Sequence, residues 1–179
     1  RDWKPHVSAH KAGLDDETLE QWQVAYTRGK DAWEKGNVAE ADHQFQMALQ
    51  LDPEFAEVPF WLGKLSLIKQ DILSAKKYFR MALEKDAYPF RALPIFNQTV
   101  REVAEKEGAL LVDISRFFTS KSKDGIIGSD LIIDHVHPVP QANEWIAQQV
   151  AGRLVTAKVL DEKLAKPLAA CQMNVAEDA

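Results

Sequence analysis

The chain is short of several things. It has a single cysteine, Cys171, so no internal disulfide and no cysteine-based zinc cluster is available. No uninterrupted apolar run approaches the roughly 18 residues of a membrane span. There is no basic block. Lys and Arg number 22 against 27 Asp and Glu, a formal net charge of -5, which argues against a nucleic-acid partner. The first residues, Arg1-Asp2-Trp3-Lys4-Pro5, include neither an initiator methionine nor the apolar core of a signal peptide. They read as the start of a processed chain or of a piece of a longer one, so the compartment is unknown. What is present is an ordinary globular mix, 46% hydrophobic and 27% charged over 179 residues. That suffices for one domain or two small ones.

The first half repeats. Sliding the chain by 34 residues aligns 22–55 with 56–89 and gives ten identical pairs, among them Gly29/Gly63, Lys30/Lys64, Ala41/Ala75, Phe45/Phe79, Ala48/Ala82 and Asp52/Asp86. Chance would give about two in a composition of this kind. Each unit reads as two helices. The first pair is expected over Thr18–Lys35 and Val38–Leu51, broken at Gly36-Asn37 and ended by Asp52-Pro53. The second pair is expected over Glu54–Lys69 and Ile72–Lys85. Gly29 and Gly63 allow close helix approach, the alanines sit at contacts, and Phe45 and Phe79 fill the space between. A further helix over Phe90–Glu107, with Leu93, Phe96, Val100, Val103 and Ala104 on one face, is expected to cap the array.

The spacing of these glycines, alanines and phenylalanines, with Pro53, resembles the tetratricopeptide repeat. The chain departs from that family at Ala25 and Pro59, where an aromatic is usual, and at Ala87, the counterpart of Pro53. The resemblance implies a concave partner surface, with Tyr26, Lys30, Trp33, Phe60 and Lys64 facing the groove and a protein or peptide as ligand. The other reading packs those residues against the rest of the same protein. Arg91, at the end of the repeats, is either exposed or faces a carboxylate. His6, His10 and His43 read as surface histidines.

The second half carries different signals. Ala109-Leu110-Leu111-Val112-Asp113 reads as a short buried strand. A polar loop follows, then Ile126–Ile133, then Asp134-His135-Val136-His137-Pro138. A helix over Gln141–Val155 presents Ala142, Trp145, Ile146, Val150 and Leu154 on one face. Asp113 could instead cap a short turn at Ser115–Phe118. An unpaired strand at 109–113 would leave an open edge and favour self-association. His135 and His137 lie two apart, but no third ligand has a suitable spacing, so no metal or cofactor is assigned.

Serine hydrolases need an imidazole that takes the hydroxyl proton and returns it to the leaving group, and a carboxylate that fixes the imidazole tautomer. A carboxylate three residues before a histidine, in a loop, can fold back onto Nδ1–H and leave Nε2 for the nucleophile. The order of strand, loop, Asp134-His135-Val136-His137-Pro138 and helix resembles the closing segment of the SGNH (GDSL-type) hydrolases. Arg1-Asp2-Trp3, Asp86-Ala87-Tyr88-Pro89-Phe90-Arg91, Asn97–Val103 and Gln141-Ala142-Asn143 extend the likeness to members that carry tetratricopeptide repeats. The resemblance implies His137 as catalytic base and Asp134 as its orienting acid.

It does not extend to the nucleophile. No Gly-Asp-Ser triplet and no Gly-x-Asn-Asp stretch occurs. A missing oxyanion hole alone costs orders of magnitude in rate. The expected fold is therefore mainly α: two helix-turn-helix repeats and a capping helix, then the strand, loop and helix of an α/β SGNH-like fold. The expected divisions are a lead-in segment 1–21, repeats and cap 22–107, an SGNH-like segment 108–156 and a helical tail 157–179. The expected function is the C-terminal portion of a serine ester hydrolase or acyl-transfer enzyme, acting on an ester in the longer parent and inactive alone. The competing expectations are a tetratricopeptide interaction module without catalysis and a structural spacer.

Overall fold

Helix boundaries follow from local chemistry. Asp15 accepts the Thr18 backbone N–H at 2.8 Å and opens α1 (Asp16–Glu34), whose first turn carries Asp16 and Glu17. Acceptors and negative charge there satisfy free N–H groups and the helix dipole. Asn37 and Asp71, equivalent positions in the two repeats, cap α2 (Val38–Leu51) and α4 (Ile72–Glu84) the same way, accepting from Glu40 N and Ser74 N. Between them α3 (Glu57–Ile68) holds Pro59 in its first turn, where a missing N–H costs nothing. The computed structural model describes residues 1–161 and Lys163.

The chain divides into two units, Arg1–Pro94 and a second that begins at Ile95. In the first, α1 packs on α2, α2 on α3 and α3 on α4. This is a helical repeat, as the 34-residue period requires. Its core contains Trp22, Ala25, Ala32, Ala41, Phe45, Ala48, Val58, Leu62 and Leu65, all buried. The close approach at the glycines is real. A Cβ on Gly29 would lie 2.9 Å from the Phe45 ring, and one on Gly63 would lie 2.9 Å from the Phe79 ring.

The lead-in segment is also part of this unit. It runs as irregular chain from Arg1 to Asp15, and both repeats hold it. Asp86 accepts from His6 N at 2.7 Å and Val7 N at 3.0 Å. Asp52 accepts from His10 Nδ1 at 2.8 Å and from Lys11 N at 3.3 Å. His10 is exposed, as expected, but anchored: its ring lies 4.5 Å from Trp22 and 4.7 Å from Phe55.

The second unit contains α5 (Pro94–Lys106, its first residue at the boundary), α6 (Ile114–Lys121), a 3-10 turn (Lys123–Gly125) and α7 (Pro140–Thr156). On α5, Phe96, Val100 and Val103 are 58%, 54% and 52% exposed, and Ala104 alone in the helix is buried. Two expectations are corrected here.

The strand expected at 109–113 does not form, and no strand occurs among the described residues. A strand needs a neighbour for its backbone groups. Here the Leu111 carbonyl accepts from Arg153 Nε at 3.3 Å, and Asp113 caps α6 by accepting from Arg116 N. Residues 109–113 therefore present no strand edge for self-association. Finally, α7 ends at Thr156, with Lys158 at φ 59, so the helical tail does not run on directly from 157, although Lys163 is helical. The rest of that expectation, Glu162 and 164–179, lies outside the described residues.

Candidate active site

The Asp134–His137 loop is built on a small closed stem. Ile132 bridges Pro138 in antiparallel fashion. Val139 N donates to the Leu131 carbonyl at 2.9 Å, and Ile133 N donates to the His137 carbonyl at 2.8 Å. Leu131 anchors the stem, packing with Phe118 and Ala142, against which Ile114, Phe117, Trp145 and Ile146 also lie. Pro140 at the first position of α7 starts the helix immediately after the stem. Two prolines and a buried leucine thus hold four loop residues at the surface.

Within the loop, Asp134 is fully committed. Its Oδ1 accepts from Val136 N at 2.8 Å and His137 N at 2.9 Å, and its Oδ2 meets His137 Nδ1 at 2.7 Å. The two backbone N–H groups, with the His137 ring, hold the Asp134 carboxyl well below the usual carboxylate range. The carboxylate therefore stays ionised and selects the Nδ1–H tautomer of neutral His137. Nε2 is the ring nitrogen left as acceptor, on a side chain that is 73% exposed. This arrangement can take a proton from a hydroxyl brought to it and hold the resulting imidazolium.

No serine completes the set. Among the described residues no serine hydroxyl hydrogen-bonds to the His137 ring. Ser120 Oγ donates to the Phe117 carbonyl and Ser122 Oγ to the Phe118 carbonyl, both within or just after α6. His135 is half-buried. Among the described residues, no group of three or more His, Cys, Asp or Glu could hold a metal ion.

The groove residues are held within their own unit. Lys30 Nζ lies 3.8 Å from Glu57 Oε1 and 4.3 Å from the centre of the Trp61 ring. Burial raises the Tyr26 pKa, and the nearby Glu57 charge adds to the rise. Burial pushes the Glu57 carboxyl up. Trp61 Nε1–H, Lys4 and Tyr26 outweigh that and hold it below its ordinary value. Trp33 packs with Trp61 at 5.1 Å. Phe60 is buried beside Trp3 and Pro5, and Lys64 reaches Asp2 at 3.7 Å.

The residues that sequence reasoning missed are Asp52, Asp86 and Glu57. For the two aspartates a signal existed: both are identical across the repeat, at helix ends where a capping or turn role is ordinary. Nothing in the sequence marked Glu57.

No family model, no curated protein and no solved structure matches the chain. Among the described residues no helix is long and apolar enough to cross a membrane.

Proposed function

We propose that the chain is the repeat-bearing C-terminal portion of an SGNH-type serine ester hydrolase or acyl-transfer enzyme, with tetratricopeptide repeats in its first unit. The observation that carries this reading is the 2.7 Å contact from Asp134 Oδ2 to His137 Nδ1, with Asp134 Oδ1 locked by two loop N–H groups. In this reading His137 Nε2 takes the proton of a serine hydroxyl as it attacks an ester carbonyl. It then gives the proton to the leaving alcohol. Asp134 is a positioning residue that holds the tautomer and stabilises the imidazolium. The serine and the oxyanion donors are not among these 179 residues and are supplied by polypeptide outside them. The repeats serve the same protein, because Lys30 and Lys64 are engaged with Glu57 and Asp2 rather than left for an outside partner.

The test uses the complete gene product and an aryl acetate. His137→Ala should lower kcat/KM by about 10^4-fold or more with the fold retained, and Asp134→Asn by a similar order. Undiminished turnover in a folded His137→Ala protein would remove the histidine from the mechanism. A complete product without a nucleophilic serine block would sink the hydrolase reading itself.

A further inference from the structure

The first unit contains a basic pocket that the hydrolase reading does not use. Arg1, Trp3, Phe60, Phe79 and Arg91 line it, with Pro5 at one side. Arg91 is half-buried. Burial pushes its guanidinium below the ordinary value, and Asp86 is the one carboxylate that acts against this. Asp86 cannot serve the guanidinium well. Its Oδ1 already accepts from Val7 N and Tyr88 N, and its Oδ2 from His6 N.

Among the described residues no carboxylate lies within ion-pair distance of Arg91. A half-buried guanidinium with no carboxylate in reach keeps its donor fork directed at the solvent left in the pocket. The side-chain charges around the Arg1 amino group and Arg91 are Arg1, Lys64 and Arg91 against Asp2 and Asp86; burial pushes the amino group down to about 5, so near pH 7 one positive charge is left.

We propose that this pocket is an oxyanion site that takes a single carboxylate group, held by Arg91 with help from Arg1. The excess of one charge fits a monoanion better than a doubly charged phosphate. The pocket is small, so it takes the carboxylate head and leaves the body of the acid outside. The walls of Trp3, Phe60 and Phe79 exclude water from one side of the pair and strengthen it. The site rests on none of the chemistry of the Asp134–His137 dyad.

The test is NMR on the 179-residue chain, following the Arg91 Nε–H and Trp3 Nε1–H signals. Sodium acetate replaces sodium chloride at constant ionic strength. Both signals should move along a saturating curve, and the apparent affinity should fall by about tenfold or more in Arg91→Gln. Arg91→Lys, which keeps the charge and loses the fork, should also bind more weakly. It serves as the deciding variant if Arg91→Gln fails to fold. Linear, non-saturating shifts would overturn the site, as would undiminished saturation in the variants. Inorganic phosphate binding more tightly than acetate would overturn the carboxylate assignment.

Discussion

Asp52 and Asp86 stand at the same position in successive repeats, and both hold the chain's own lead-in segment by its nitrogens. Asp52 is fully buried and Asp86 is 8% exposed. Each also accepts from the backbone N–H two residues ahead, Glu54 N and Tyr88 N respectively. A carboxylate buried with three donors is stabilising, and the same donors without it are orphans. The repeat has thus copied one anchor twice, and a single extended strap crosses both copies.

Asp52→Ala should cost about 2–4 kcal/mol in urea unfolding, because it strands His10 Nδ1 and the Lys11 and Glu54 amides. Asp52→Asn keeps an acceptor and should cost less. Hydrogen exchange distinguishes an anchor from a general packing loss. In Asp86→Ala the His6, Val7 and Tyr88 amides should exchange fast while those inside α2 stay protected. Uniform loss of protection would argue against the strap.

The glycine–phenylalanine contacts make a second paired prediction. Gly29→Ala places a Cβ 2.9 Å from the Phe45 ring, which is buried on all sides and has nowhere to move. Overpacking of this kind costs about 1–3 kcal/mol. Gly63→Ala meets the Phe79 ring at the same distance, but Phe79 is only half-buried and can yield. The first substitution should therefore lower Tm more than the second. In a double-mutant cycle, Phe45→Leu should relieve part of the Gly29→Ala cost.

The Asp134 carboxyl gives a pH prediction with a definite sign. Its folded pKa lies below the unfolded value of about 3.9. Such a group contributes order that is fully present above the unfolded pKa and is lost as pH falls through the folded one. The Val136 and His137 amide shifts should therefore show no Asp134-linked change from pH 7 down to about 4 and should move only below that. Asp134→Asn should remove the acid-side movement. A carboxyl titration of Asp134 centred near 4 would contradict the loop geometry.

The sequence was informative wherever a local rule decided the structure. The 34-residue period and the breakers at Gly36 and Pro53 placed α2 at its observed bounds, Val38–Leu51. The Asp-x-x-His spacing anticipated the Nδ1 contact because a three-residue separation in a loop leaves few other conformations. The failures were all non-local. Leu110–Val112 has strand chemistry but no strand to pair with, so its propensity went unused. Glu57 became the centre of four side chains because Tyr26, Lys30, Lys4 and Trp61 arrive from three separate stretches of chain, which no spacing encodes.

Gln70 carries a strain that its repeat partner avoids. Gly36 ends α1 at φ 71, and Gln70, the equivalent residue after α3, adopts φ 60. The hydrogen bonds match: Gly36 N and Asn37 N donate to Trp33 O and Ala32 O, as Gln70 N and Asp71 N donate to Leu67 O and Ser66 O. Both turns therefore demand the left-handed region, which costs a residue with a Cβ about 1 kcal/mol or more. Gln70 is exposed and has no side-chain hydrogen bond to lose among the described residues. Gln70→Gly should raise stability by about 0.5–1 kcal/mol, the relief of strain exceeding the added freedom of the unfolded chain. Gly36→Gln should lower it by a similar amount, since a Cβ there meets open space and only the backbone strain counts. Urea midpoints of the two variants should shift in opposite directions. A destabilised Gln70→Gly would show that the second turn relaxes out of the left-handed conformation when its side chain is removed.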